Sequence, residues 1–243
     1  MPARLPDFLG IGTQKGGTTS LHQWLSQHPQ VYLPKHKEVH YFDLNSDKSI
    51  NWYKNQFKES NLNEKCGEIT PYYLFHPEVA NRIRSTIPKI RMIALLRDPV
   101  ERTLSQIFHS RKRGFEELEL NEALAAEESR LQSGCQNSLQ KHSYVSRSRY
   151  LEQLDRYENL FPKNQLLILK SEQLFENPKT IWEKIANFLN IEAGAIATEF
   201  PRINTGRNEL DSVPNELRSE LRRELKDTAL GIRERYGFGW DWA

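Results

Sequence analysis

Two cysteines, Cys66 and Cys135, are all that this 243-residue chain contains, and they stand too far apart for a C-x-x-C redox pair or a cysteine-based metal site. That scarcity fits a reducing compartment and excludes a disulfide-stapled scaffold. Long apolar runs are also missing. The longest uninterrupted one, Met92 to Leu96, falls far short of the ~20 residues that cross a bilayer. Met1 to Asp7 lacks the basic and then apolar pattern of a secretory leader, so the expectation is a soluble, cytoplasmic protein with no transmembrane segment. Neither sign of charge dominates: the net charge is +2 with 27% charged residues, which gives no reason to expect a nucleic-acid partner. No set of His, Cys, Asp and Glu has ligand spacing, so no metal is expected. No linker, low-complexity tract or internal repeat divides the sequence, and residues 1–243 read as one domain.

What is present is an alternation of short apolar runs with helical patterns, the signature of an α/β domain with a central parallel β-sheet flanked by helices. Phe8 to Ile11, Val31 to Leu33, Ile90 to Leu96 and Leu166 to Leu169 read as strands. Helices are expected at Ile50 to Phe57, Pro77 to Ile87, from Pro99 onward, over the acidic Glu116 to Gln132, and from Leu151, Pro178 and Pro214. Leu217, Leu221 and Leu225 are the apolar stripe of the last of these. The polar, basic stretch Gln136 to Ser148 reads as a loop able to close over an acceptor.

Gly12 to Leu21 joins the first strand to the first helix and places Gly16 and Gly17 at the helix entrance. Unpaired N–H groups at a helix start, together with the helix dipole, make a cradle for an anion. The spacing approaches the triphosphate-binding P-loop, which wants a glycine, four residues and then Gly-Lys-Ser/Thr. Gly12, Gly17 and Thr19 fit, but Thr18 holds the lysine slot and the lysine stands at Lys15. The fold expectation is therefore a single P-loop-like domain. After the strand Ile90 to Leu96, Arg97-Asp98-Pro99-Val100-Glu101 starts a helix, with Asp98 as N-cap, Pro99 in the first turn and Glu101 set to complete a capping box. Arg97 sits at the strand's carboxyl end, the edge where open α/β sheets take ligands, and Ser105 follows two turns along.

Lys35 to Asp43 packs acids, bases and aromatics into nine residues. Strand-like alternation would put Glu38, His40 and Phe42 on one side and Val39 and Tyr41 on the other. From the residues alone, Glu38 reads as a surface carboxylate beside lysines and His40 as a structural histidine.

Lys15-Gly16-Gly17-Thr18-Thr19, opening a helix near the N-terminus, resembles the 5′-phosphosulfate-binding loop of sulfotransferases, particularly the heparan-sulfate type and its bacterial relatives. Those enzymes use 3′-phosphoadenylyl sulfate (PAPS) and release adenosine 3′,5′-bisphosphate. The resemblance implies that Lys15 contacts the phosphosulfate while Gly16, Gly17, Thr18, Thr19 and Ser20 hold the 5′-phosphate. Glu38 to Asp43 is similar to the family's Glu-Val-His-aromatic-Phe-Asp loop, which implies Glu38 as catalytic base with His40 orienting or tuning it. Arg97 and Ser105 resemble the family's 3′-phosphate site, and Gly206 with Arg207 resembles its cofactor-covering loop, although Thr205 replaces a lysine there. Glu68-Ile69-Thr70-Pro71 is similar to a Glu-x-Thr-Pro segment beside the active site, with Ile69 where lysine is common. The implied activity is transfer of the sulfuryl group from PAPS to a hydroxyl or amine of a small-molecule, lipid or saccharide acceptor, without a metal. The alternatives are a P-loop nucleotide kinase and a non-catalytic nucleotide-binding module.

Overall fold

Parallel pairing follows from the way each buried strand is separated from the next by a helix. The computed structural model of the protein describes residues 4–195 and 207–243. The strands are β1 (Phe8–Gly12), β2 (Val31–Tyr32), β3 (Lys65–Ile69), β4 (Arg91–Leu96) and β5 (Leu166–Lys170). The helices are α1 (Thr18–Ser26), α2 (Ile50–Asn55), α3 (Val79–Thr86), α4 (Pro99–Lys112), α5 (Leu120–Gln132), α6 (Gln136–Lys141), α7 (Tyr150–Glu158), α8 (Gln173–Glu176), α9 (Pro178–Leu189), α10 (Arg207–Asp211), α11 (Asn215–Glu224) and α12 (Lys226–Tyr236). The described residues form two compact units, 4–96 with 153–195, and 97–152 with 207–243.

The first unit holds the whole sheet, in the order β2-β3-β1-β4-β5 with every pair parallel. Ile93 and Leu95 of β4 join Leu21, Trp24 and Leu25 of α1 and Ile181, Trp182 and Ile185 of α9 in one apolar cluster. Met92, Ala94 and Leu96 alternate with them and are equally buried, so β4 is covered on both faces. Each such side chain contributes about 1.5–3 kcal/mol of burial. Because all five strands run the same way, the loops after β1, β2 and β3 leave from one edge of the sheet. That edge therefore carries the glycine loop, the Lys35 to Asp43 segment and Thr70.

β3 is a strand that the apolar pattern does not announce. Its residues are Lys65-Cys66-Gly67-Glu68-Ile69, and a Cβ at Gly67 would lie 2.4 Å from the Phe8 ring. Glycine is therefore required at this point, since the neighbouring strand's Phe8 fills the space a side chain would need.

The second unit starts with α4, whose N-cap is as expected: the Asp98 carboxylate accepts from the Val100 and Glu101 N–H groups. Glu101 pairs with Arg218 instead of completing a capping box. Val100, Leu104, Leu217, Leu221 and Leu225 pack together. The expected single C-terminal stripe is two helices, with Leu225 at their junction. The stretch Gln136 to Ser148 also differs from expectation. It forms α6 and a short turn of 3₁₀ helix, with Ser143, Tyr144 and Ser148 fully buried. Arg102, 0% exposed, donates to the Ser148 hydroxyl, the Gln106 side chain and the Tyr144 carbonyl, so residues 143–148 are packed scaffold and not an open loop, while α6 has no buried residue.

Candidate functional site

The glycine loop is fixed to the sheet by its backbone. Thr13 donates its N–H and its hydroxyl to the Leu95 carbonyl, both at 2.9 Å, and Ser171 donates to the Gly16 carbonyl at 2.8 Å. Gly16 lies so close to this floor that a Cβ there would stand 2.6 Å from Leu95 O and 2.6 Å from Thr13 Oγ1. Lys15 and Gly17 both have positive φ, 69° and 89°, and Gly17 is the N-cap of α1. Gly17 brings no side-chain cap to this helix start, and first-turn N–H groups, which have no partner one turn back in their own helix, are suited to an anion. The residues present thus fit a phosphate: a glycine floor, a helix start that opens at Gly17, and Lys15 half-buried beside it. Thr18, in the slot where a P-loop carries lysine, is buried.

Glu38 and His40 do come together, but not by strand alternation. Both adopt left-handed backbone, with φ of 68° and 56°, and Phe42 turns into the core at 1% exposure. Non-glycine residues in that region cost about 1–3 kcal/mol each and persist only where the surroundings hold them. His40 lies between two carboxylates. Its Nδ1–H donates to Asp43 at 2.9 Å and its Nε2 stands 3.5 Å from Glu38 Oε2. The Asp43 side chain is fully buried, that of His40 is 19% exposed and that of Glu38 39%, so the three lead from the core to the surface. Burial works against the charge on His40, yet the hydrogen bonds and charges of Asp43 and Glu38 outweigh it and raise its pKa to about 9. Glu38 is likewise pushed up by burial, and His40 and Lys37 more than reverse this, bringing it to about 2. At neutral pH the pair is a carboxylate beside an imidazolium. His22, on α1, lies in the field of both Lys37 and Glu38, which sets the Glu38 loop beside the helix that begins at the glycine cradle.

The sign of each shift predicts a pH dependence of stability. His40 is raised from 6.5 to about 9, so its contribution is whole below about 6.5 and is lost as the pH rises through about 9. Glu38 is lowered from 4.5 to about 2, so its contribution is whole above about 4.5 and is lost as the pH falls through about 2. Thermal melts between these alkaline limits should show the unaltered protein losing stability with rising pH and His40→Asn losing less. Parallel curves would contradict the ion pair.

Two residues of this arrangement escaped sequence reasoning. Asp43 was only the last letter of a matched motif, and its role is to hold the His40 ring. Glu68 opens the Glu-x-Thr-Pro segment but had no role of its own there; it is 2% exposed, and its carboxylate oxygens accept from the Val39 N–H and from the hydroxyls of Tyr53, Thr70 and Tyr73. The signals in the sequence are its place in that segment and a carboxylate beside Cys66, Gly67 and Ile69. Ile69, where lysine was weighed, is fully buried and faces Gly10 across the sheet.

Arg97 and Ser105 belong to the second unit. Arg97 is half-buried directly after β4, and its carbonyl accepts from the Tyr150 hydroxyl at 2.9 Å. Ser105 is half-buried on α4. Gly206 lies outside the described residues, and Arg207 is the first residue of α10. Among the described residues, no group of three or more His, Cys, Asp and Glu is placed to hold a metal ion. No described helix is long and apolar enough to cross a membrane.

Comparison with known proteins extends these observations. The membrane-associated sulfotransferase kil1 of Dictyostelium discoideum is 44% identical over 109 residues, which is 44% of this chain and 23% of that protein. The human bifunctional heparan sulfate N-deacetylase/N-sulfotransferase 3 is 33% identical over 202 residues, covering 77% of this chain and 22% of the relative. The chain thus spans less than a quarter of the length of either relative. A crystal structure of a sulfotransferase from Alicyclobacillus acidocaldarius superposes with a TM-score of 0.85 over 98% of this chain and 99% of that one, at 24% identity, and so shares the fold. The family model for the sulfotransferase domain matches residues 5–220, and with that match the chain belongs to the sulfotransferase domain family.

Proposed function

We propose that the protein is a PAPS-dependent sulfotransferase acting on a hydroxyl or amine, with Glu38 as the general base. The observation that carries the reading is the Glu38–His40–Asp43 line on the same sheet edge as the glycine loop that opens α1. Bound PAPS would supply the sulfuryl group. Lys15 and the first-turn N–H groups of Thr18, Thr19 and Ser20 would hold the 5′-phosphate and stabilise charge growing there, while Gly16 and Gly17 let it approach. Arg97 and Ser105, with Gly206 and Arg207, are assigned to the 3′-phosphate, for which a guanidinium fork is suited.

Glu38 is preferred to His40 as base on protonation alone. A histidine held at about 9 already carries its proton at neutral pH, whereas a carboxylate held at about 2 is free to accept one. His40 then aligns Glu38, and Asp43 aligns His40. The heparan-sulfate relative favours a saccharide among the candidate acceptors. The kinase alternative would require a lysine where Thr18 is buried and an acidic metal-binding strand end where β4 delivers Arg97.

Calorimetry tests the nucleotide assignment. Adenosine 3′,5′-bisphosphate should bind at least ~10-fold more tightly than AMP, the low end expected when charge-assisted hydrogen bonds worth ~1.5–3 kcal/mol are lost. Equal affinities, or ATP binding that requires magnesium, would overturn the reading in favour of the kinase. Labelled PAPS offered with a de-N-sulfated heparan oligosaccharide, a simple sugar alcohol, p-nitrophenol and a tyrosine peptide identifies the acceptor class. Tight bisphosphate binding with transfer to none of them would favour a non-catalytic nucleotide-binding module.

A further inference from the structure

We propose that Glu68 is a positioning residue for the candidate active site, its buried carboxylate fixing the backbone between Glu38 and His40 so that both side chains face one place. The inference rests on the reading that Glu38 and His40 do the chemistry. Glu68 Oε2 accepts from the Val39 N–H at 3.2 Å and the Thr70 hydroxyl at 2.6 Å, and Oε1 accepts from the Tyr53 and Tyr73 hydroxyls, both at 2.8 Å. Two of these hydroxyls carry the hold further along the loop. Thr70 Oγ1 accepts from the His40 N–H at 3.4 Å, and the Tyr73 hydroxyl oxygen accepts from the Phe42 N–H at 3.3 Å. One carboxylate thereby reaches the N–H groups of residues 39, 40 and 42, directly or through a single hydroxyl. Asn45 closes the other side of the segment, donating its side-chain amide to the Val39 carbonyl at 3.0 Å and its N–H to the His40 carbonyl at 2.8 Å.

Stability alone does not favour such a group. A carboxylate 2% exposed with no cation in ion-pair contact among the described residues is costly to bury, and an apolar side chain of the same volume would cost less. Its placement has a purpose where the held backbone is itself strained, and Glu38 and His40 on either side of Val39 are both left-handed. The chemistry also requires a carboxylate. Four donors converge on two oxygens, and the amide of a glutamine would turn a donor toward donors.

The test is an NMR titration of the His40 imidazole in the full chain, which needs no acceptor, combined with calorimetry of adenosine 3′,5′-bisphosphate. Glu68→Gln should lower the His40 midpoint by about one pH unit or more, because the Glu38 and Asp43 alignment that raises it is lost. Thr70→Val, the gentler change, should lower it by less, and bisphosphate affinity should stay near that of the unaltered protein in both. Tyr53→Phe removes one Oε1 donor and leaves the Val39 bond, so it should lower the melting temperature without moving the midpoint. A merely structural Glu68 would lower the melting temperature in all three and leave the midpoint in place, which overturns the proposal. Should Glu68→Gln not fold, Thr70→Val decides: a lowered midpoint supports the proposal and an unmoved one overturns it. Failure of the sulfotransferase reading is separately visible, since the bisphosphate would then bind the unaltered protein no more tightly than AMP while the His40 midpoint still followed Glu68.

Discussion

Glu38→Gln is expected to lower turnover by ~10² or more, within the range for a positioned general base, while adenosine 3′,5′-bisphosphate affinity stays near that of the unaltered protein. The substitution keeps volume and hydrogen-bonding reach and removes only the capacity to take a proton. A base held at about 2 is ionised at any working pH, so turnover should show no acid limb near neutrality that depends on Glu38. Its weak hold on the proton means that transfer accompanies formation of the acceptor's new bond, when the attacking group becomes acidic. His40→Asn should cost less, because the carboxylate remains and loses only its alignment. Steady-state kinetics on the acceptor that turns over decides the matter. An active Glu38→Gln beside a dead His40→Asn would make the histidine the base and reverse the two roles.

Gly16→Ala is expected to weaken nucleotide binding by ~10- to 10²-fold and to lower the melting temperature by several degrees, in line with the ~1–3 kcal/mol cost of overpacking. The added methyl would meet the Leu95 carbonyl and the Thr13 hydroxyl at 2.6 Å. Neither can retreat cheaply. Leu95 is a fully buried residue of β4, and its carbonyl is already committed to two bonds from Thr13. The loop must therefore lift from its floor, losing those bonds and the one from Ser171, and the helix start no longer meets the phosphate in the same place. Gly194→Ala is the control, since a Cβ there meets nothing within 4 Å. Calorimetry showing unaltered bisphosphate affinity for Gly16→Ala would remove the loop from the nucleotide site.

The contrast between β4 and β3 explains what the sequence made legible. Met92 to Leu96 is an unbroken apolar run and announces a doubly covered strand, whereas Cys66-Gly67-Glu68 carries a glycine and a carboxylate whose reasons lie in Phe8 and Val39, on other parts of the chain. Lys15, Gly16 and Gly17 were legible because glycine at a helix entrance has a local cause. Glu38 and His40 were legible as a pair through alternation and resemblance, but their geometry was not, because no local signal tells a non-glycine residue to take positive φ. Asp43 and Arg102 show the same limit: each is buried and polar, and its partners become apparent only in three dimensions. Residues 202–206, where Gly206 was assigned to the nucleotide, lie outside the described residues.

The parallel order β2-β3-β1-β4-β5 has a consequence for assembly. No pair in this sheet can form as a hairpin, so each waits for a distant stretch of chain, and loop closure of that kind slows folding. The glycine loop precedes its floor, the Leu95 carbonyl, by 82 residues and its clasp, the Ser171 hydroxyl, by 155. The loop is therefore made before its supports, and a growing chain can complete it only after Ser171 has emerged.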